Sequence, residues 1–456
     1  MKLSILNSKN DRFRIDAEFS KKIYINTEKF LESKKHTTLK ESLCKIYHPK
    51  EIKREYVIEN GIWFFRAQNL RPLLIENSNN VFISKNDAED LKDNSILYGD
   101  ILITRTGANF GQTAMYHLME RAISSSHVLI VRTNFFNPYY LTVFLNTNYG
   151  RIMLNKGMYG GSQPEIAPYY ISNIPIPILS KNFERLLEKL YMKANEFIND
   201  SNLYYSKIEL ILLKELGMAN WQPTLENKSI KKFSKSYEST ERLDAEYYQP
   251  KYDELMKMIK KNKYTTLGEL VKIRKSIEPG SEAYQSEGIP FLRVANISKY
   301  EISDTAIYLN EKEFNNNNLK PEKDTILFSK DGSVGIAFKL EENINAITSS
   351  ALLHLKVKGD NVLPDYLTLV LNSKLVQLQA ERDSGGSVIQ HWRKEEIENV
   401  LIPLLEMDKQ IEISNEIKRS FSLRKQSKEL LERAKKAVEI AIEEGEEKAF
   451  QYIKIS

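Results

Sequence analysis

The sequence predicts a mixed α/β protein made of two similar globular domains, each followed by one long helix. Three observations predict it: seven collinear pairs of repeated segments, short β-rich runs in both copies, and an apolar seam of period 3.5 behind the first copy with a looser one behind the second. The two long helices are expected to pair as an antiparallel coiled coil, giving the chain an internal pseudo-two-fold.

The repeats carry most of this. "RIDAEF" at 14–19 returns as "RLDAEY" at 242–247, an offset of 242 − 14 = 228. "TTL" at 37–39 returns at 265–267 with the same offset. "GIWFFRAQNL" at 61–70 answers "GIPFLRVANI" at 288–297, and "DILITRTGANFG" at 100–111 answers "DTILFSKDGSVG" at 324–335. "NPYYLTVFLNT" at 137–147 answers "LPDYLTLVLNS" at 363–373. "GGS" at 160–162 answers 385–387, and "NIPIPIL" at 173–179 answers "NVLIPLL" at 399–405.

Within each copy, runs such as "ILITR", "HVLIVR", "DTILFS" and "ALLHLKV" read as strands bounded by Gly, Asn and Asp. Pro138 and Pro364 suit the first position of a helix, with Asn137 as the N-cap of the first. Behind the first copy, Phe183, Leu187, Leu190, Ala194, Phe197, Ser201, Tyr204, Ile208 and Ile211 step by alternating four and three. Behind the second, Leu423, Leu430, Ala434, Ala437 and Ala441 give a looser seam, broken by Arg424 and Ser427. An antiparallel pair would send the two domains to opposite ends. The helix from Phe183 to Ile211 would be roughly 43 Å long at about 1.5 Å per residue. That matches on the order of a dozen base pairs at about 3.4 Å each. Gly217 suits a helix C-cap, and the polar, basic stretch after it reads as a linker in which Trp221 packs against a helix end. The expected organisation is a first globular domain at 1–180, a helix at 181–217, a linker at 218–238, a second domain at 239–405, a helix at 406–446 and a tail at 447–456.

Bulk properties bound the function. The 456 residues are 41% hydrophobic and 28% charged, so packed cores are feasible and wholesale disorder is not. The formal charge of +5 is compatible with a nucleic-acid partner without proving one. Cys44 is the single cysteine, which excludes an internal disulfide and points to a reducing compartment. No apolar run approaches the roughly 18 residues of a membrane span, and "MKLSILNSKNDRFRID" lacks a signal-peptide core. A soluble, cytoplasmic protein is expected.

Catalytic signatures fail in turn. "NPYY" at 137–140 lies one residue from the Asn-Pro-Pro-Tyr loop of adenine methylation, but its second copy, "LPDY", lacks the asparagine too. The shared letters are a proline, a tyrosine and "LT..LN", which is a helix entry. The glycine loops "RTGANFG" and "KDGSVG" run on into β-type sequence instead of opening a helix, as a cofactor loop would. "PD" at 364–365 has no nearby Glu-x-Lys to complete a nuclease site, and the six histidines lack metal-ligand spacing. No catalytic residue and no metal site is assigned.

These segments resemble the specificity (S) subunit of Type I restriction–modification systems. The resemblance covers nearly the whole chain and rests on the order and doubling of the segments quoted above. It implies two target-recognition domains that read a bipartite DNA sequence in phage defence, with no catalytic site on the chain. It implies as partners double-stranded DNA, two modification (methyltransferase) subunits and restriction (endonuclease and translocase) subunits. S-adenosylmethionine, ATP and Mg²⁺ would belong to those subunits, and no cofactor to this chain.

DNA contact calls for cations, small hydroxyls and amides in exposed loops. The first glycine loop offers Arg105, Thr106, Asn109 and Gln112, and the second Lys330, Asp331 and Ser333. Arg105 aligns with Lys330 and Gly107 with Gly332, while Asn109 against Val334 and Gln112 against Ile336 differ. A phosphate contact and a solvated surface cation both fit the shared cation. A second cluster surrounds "GGS": Tyr159, Ser162 and Gln163 in one copy, and Arg382, Ser387, Gln390, His391 and Arg393 in the other. Close approach to phosphate and a plain tight turn both suit the glycines. Arg66 with Asn69, and Arg293 with Asn296, are shared between the copies, which favours a structural bond or a phosphate contact over base reading. Trp63 and Trp392 read as core or stacking residues. The competing functions are a coiled-coil scaffold without DNA binding and a stand-alone DNA adenine methyltransferase.

Overall fold

The computed structural model describes residue 14 and residues 16–77, 80–107, 109–161, 163–385 and 390–455. The chain divides into two units, one of Met1–Ile198 with Arg424–Ser456 and one of Asn199–Leu423.

In the first unit a four-stranded antiparallel sheet runs in the order Thr113–Met115, Ile101–Thr104, Val128–Arg132, Lys45–Tyr47. Its two central strands read as near-continuous apolar runs because both faces are covered. Ile101, Ile103, Leu129 and Val131 share a core with Tyr140, Val143 and Phe144 of the helix Pro138–Asn146. Leu102, Val128 and Ile130 point the other way, into a core with Trp63, Phe65 and Tyr116. The first two of these belong with a second, five-stranded sheet in the order Tyr56–Val57, Val81–Ile83, Ile62–Phe65, Ala122–Ser124, Ser95–Ile96, whose Ile62–Phe65 and Ala122–Ser124 strands are parallel.

The second unit repeats the scheme. Its four-stranded sheet is Val271–Lys275, Leu352–Val357, Ile326–Ser329, Ala337–Lys339. Its smaller sheet, Tyr308–Leu309, Ile289–Leu292, Ile347–Thr348, keeps the parallel pair between the last two strands. Ile326 and Phe328 pack with Tyr366 and Val370, and Leu327 packs on the opposite side with Ile297 and Leu352.

The repeated letters now have local causes. The start of "TTL" and the end of "IPIP" in the first copy lie in the paired strands His36–Thr37 and Ile176–Pro177; in the second, Tyr264–Thr266 pairs with Leu401–Pro403. Asn137 caps its helix, its Oδ1 accepting from the backbone N–H of Tyr139 at 2.9 Å and of Tyr140 at 3.3 Å. Thr142 and Thr368 each return a hydroxyl bond of 2.7 Å to the carbonyl of the helix-starting proline. Asn69 and Asn296 are turn residues: each Oδ1 accepts from the N–H of the arginine three residues back, at 3.0 and 2.9 Å. Trp63 and Trp392 are both core residues.

The long helices span Lys181–Glu215 and Met407–Glu444, and a further helix, Glu446–Ile455, occupies the stretch expected to be a tail. Within the second unit they run antiparallel: Ser201 meets Ser420, and Glu215 meets Lys409. Within the first, Phe183 stacks edge-on against Phe450, and Leu187 and Ala194 share a core with Leu431, Ala434, Ala437, Val438 and Ala441. The deepest row on the first helix is Leu187, Tyr191, Ala194, Ser201, Tyr205, Ile208 and Leu212. Leu190, Phe197, Tyr204 and Ile211 flank it, half-buried. The expected seam is therefore displaced by one residue at Leu190, Tyr204 and Ile211. Tyrosines are the reason: Tyr191 buries its ring and donates its hydroxyl to the Leu73 carbonyl, and Tyr205 packs edge-on against Tyr300 at 5.1 Å. On the second helix Leu430 flanks the row, Leu431 lies in it, and Ser427 is fully buried in it rather than breaking it. Gly217 takes φ +68 beyond the first helix, and Trp221 lies under the Lys374 ammonium, 5.6 Å from its ring centre. Among the described residues no helix is long and apolar enough to cross a membrane.

Candidate nucleic-acid interface

Each unit brings its glycine loop and its "GGS" loop side by side. In the first, the glycine loop leaves the strand Ile101–Thr104, and the "GGS" loop joins Met158–Tyr159 to Glu165–Ile166. The Ile166 amide donates to the Arg105 carbonyl at 3.1 Å and the Gly107 amide to the Pro164 carbonyl at 3.2 Å. Thr106 and Glu165 thereby face each other in an antiparallel bridge. In the second unit the Trp392 amide donates to the Lys330 carbonyl and the Gly332 amide to the Gln390 carbonyl, both at 2.8 Å, with Asp331 facing His391. Two loops far apart in sequence thus make one continuous floor, twice.

The glycines are required there. Gly107 and Gly332 sit at φ +90 and +72, where an L side chain is strained. The backbone also corrects one sequence alignment. Thr104 Oγ1 bonds the Asn109 carbonyl, and Ser329 Oγ bonds the Ser333 carbonyl at 2.6 Å. Asn109 therefore corresponds to Ser333, not Val334; the first loop is one residue longer.

Charges on the floor are paired. Arg105 Nη2 lies 2.7 Å from Glu165 Oε2, which also accepts from the Tyr159 hydroxyl at 3.2 Å. Thr106 is buried and shares a 2.7 Å hydrogen bond with His127 Nδ1. Burial, and then the Arg105 charge, lower the pKa of nearby His48. In the second unit Asp331 binds both Lys330 and His391, the latter at 2.9 Å from Nδ1. His391 is exposed, and Lys275, Arg393 and Lys394 line an open cleft of about 190 Å³ beside it. Arg393 is exposed but forks onto Glu396.

Residues 259–433 match the family model of the Type I restriction modification DNA specificity domain. Over 379 residues the chain is also 26% identical to the protein named as the specificity subunit of type I restriction enzyme MjaX in Methanocaldococcus jannaschii, covering 77% of this chain and 79% of that one. Among solved structures, the S subunit of a Type-I restriction-modification system from M. genitalium aligns at 13% identity and a TM-score of 0.35, covering 91% of this chain and 95% of that one. The HsdS subunit from Thermoanaerobacter tengcongensis aligns at 15% identity and a TM-score of 0.29, covering 88% and 97%.

The matched segment contains the second glycine loop, the second "GGS" loop and the residues lining the cleft between Lys275 and Lys394. Most of the residues proposed from sequence to touch DNA lie on the two floors: Arg105, Thr106, Asn109, Tyr159 and Gln163 on one, and Lys330, Ser333, Gln390 and His391 on the other. Gln112 is half-buried at the far end of its loop, and its Oε1 has no hydrogen-bond partner among the described residues. Ser162 and Ser387 lie outside the described residues. Arg382 turns inward instead: its guanidinium sits 5.3 Å from the Tyr247 ring centre and binds Asp383 at 2.6 Å.

Each unit also uses residues that were not singled out from the sequence. Gln377 Nε2 donates to the Gly335 carbonyl at 2.7 Å, and Arg151 makes the same bond to the Gly111 carbonyl in the first unit. The "RLDAEY" segment folds against the helix that leads into the "GGS" loop. Arg242 forks onto Asp244, stacks 4.5 Å from the Tyr247 ring centre, and donates to the Asp383 carbonyl at 3.0 Å. Arg242 holds the Asp244 carboxyl below its ordinary range, while burial pushes the Asp383 carboxyl up. In the first unit Arg14, Asp16, Phe19 and Lys156 repeat this stack. The signal was present in the doubled motif; its role needed the contacts.

Proposed function

We propose that the chain is the DNA-recognition subunit of a type I restriction–modification complex, reading a bipartite target with one half-site per unit. The observation that carries this is the duplicated two-loop floor, with a cation from the glycine loop at the same backbone position in both units, Arg105 and Lys330. A cation common to both suits a phosphate, which every sequence offers. Positions that differ in chemistry, such as Asn109 against Ser333 and Pro164 against Gln390, suit base edges, which differ between half-sites.

On this reading the chain performs no bond chemistry. It orients DNA for partners: two modification subunits that hold S-adenosylmethionine and methylate adenine, and restriction subunits that use ATP and Mg²⁺. Titrating the full chain against duplex DNA at several salt concentrations tests it. Binding should weaken steeply as salt rises, because neutralised phosphates release counterions. A flat, negligible signal at every salt concentration overturns the reading in favour of a protein-only scaffold. Incubation of the chain alone with labelled S-adenosylmethionine and DNA should transfer no methyl group, and transfer by the single chain overturns the non-catalytic assignment.

A further inference from the structure

A carboxylate contact crosses the two loops in both units, but the loop that supplies the carboxylate is exchanged. In the first unit the glycine loop supplies the cation, Arg105, and the "GGS" loop the carboxylate, Glu165, at 2.7 Å. In the second the glycine loop supplies the carboxylate, Asp331, and the "GGS" loop the partner, His391, at 2.9 Å. The backbone register is the same in both: Glu165 occupies the place of His391, and Thr106 the place of Asp331. Asp331 also holds Lys330, the counterpart of Arg105. Each floor therefore keeps one carboxylate against its shared cation, although the carboxylate arrives from opposite loops. A DNA-facing surface would gain non-specific affinity by omitting both carboxylates.

We propose that Glu165 and Asp331 are selectivity-determining counter-ions of the two DNA-reading floors. They hold Arg105 and Lys330 against non-cognate phosphate, and release them only where matching base contacts offset the cost of separating the pair. This rests on the recognition reading above. Its physical basis is that non-specific affinity follows the number of phosphates neutralised, whereas base contacts add only on the correct sequence. A cation held by a carboxylate at hydrogen-bond distance contributes little to the first term. Glu165 has a second bond, from the Tyr159 hydroxyl at 3.2 Å, which keeps the carboxylate in place. The alternative role for such a carboxylate, accepting from the amino group of cytosine, predicts the opposite effect of its removal.

The test uses Glu165→Gln and Asp331→Asn in the full chain, since each keeps the shape and an acceptor oxygen while losing the charge. Affinity for mixed-sequence duplex DNA is measured over a salt series, alongside genomic fragments enriched on the unaltered chain. Each substitution should tighten mixed-sequence binding by up to about eightfold near 0.1 M salt, and steepen the log–log salt slope by about 0.9, the value of one phosphate contact. The advantage of the enriched fragments should shrink accordingly, and Arg105→Gln added to Glu165→Gln should restore the original slope. An unaltered slope in both variants, weaker binding to every duplex, or a loss confined to the enriched fragments each overturns the proposal. If the unaltered chain itself binds no duplex in a salt-dependent way, the recognition reading fails, and this proposal with it.

Discussion

Asn146 Nδ2 donates to the Thr113 carbonyl at 2.9 Å, and Asn372 Nδ2 makes the equivalent bond to Ala337 at 2.8 Å. Each asparagine ends the helix entered through Pro138 or Pro364, and each carbonyl belongs to the strand that leaves the glycine loop. The helix and the loop are thereby held in register. Replacing Asn146 or Asn372 by Ala leaves that carbonyl without this donor. Each change should cost about 1–3 kcal/mol of stability. Chemical denaturation of the single variants measures it, and values near zero would show the hook to be dispensable.

His354 gives the second unit a specific acid sensitivity. Arg274 lies 3.3 Å from Nδ1 and can only donate, so Nε2 carries the proton and donates to Thr348 Oγ1 at 2.8 Å. Burial, and then the Arg274 charge, push the His354 pKa down to about 4 from 6.5. The unfolded chain therefore binds this proton more readily than the folded one. The contribution is fully present above pH 6.5 and is lost as pH falls towards 4, on the order of 3 kcal/mol over that window. His354→Gln should flatten this part of the stability–pH curve, and an unchanged curve would contradict the assignment.

The helix pair contains two serines with opposite expectations. Ser420 Oγ lies 2.9 Å from Ser201 Oγ and donates to the Ser201 carbonyl at 2.9 Å, all within a buried row. Ser427 is equally buried, yet its Oγ has no hydrogen-bond partner among the described residues. Ser420→Ala should destabilise by about 1 kcal/mol, and Ser427→Ala should be neutral or stabilising. Thermal melts of the two variants compare them directly; the reverse order would refute this account of the seam.

The two-unit fold was legible in the sequence because the copies share letters that make structure: "TTL" with a later "IP", Pro138 with Pro364, Asn146 with Asn372. The seam was legible in period but not in phase. A count of apolar residues selects Leu190, Phe197 and Tyr204, whereas the row is completed by Tyr191, whose hydroxyl needs a partner only the fold supplies, and by Tyr205, whose ring packs on Tyr300. The floors were legible as glycine loops that each carry one cation. Their pairing was not, because Arg105 and Glu165 are 60 residues apart and nothing local joins them. Arg382 looked available for DNA for the same reason: the stack with Tyr247 and Asp383 depends on a segment far earlier in the chain.

The central claim is that each unit reads its own half of one target. The most direct measurement is the genome-wide pattern of methylated adenine in cells carrying the complete system, with this chain unaltered, deleted, or changed at Gln390 and His391 to Ala. A two-part motif should be present with the unaltered chain and disappear on deletion. In the double variant it should relax or change in one half only, the other half and the intervening spacing being retained. A pattern indifferent to the deletion, or a substitution that alters both halves together, would contradict it.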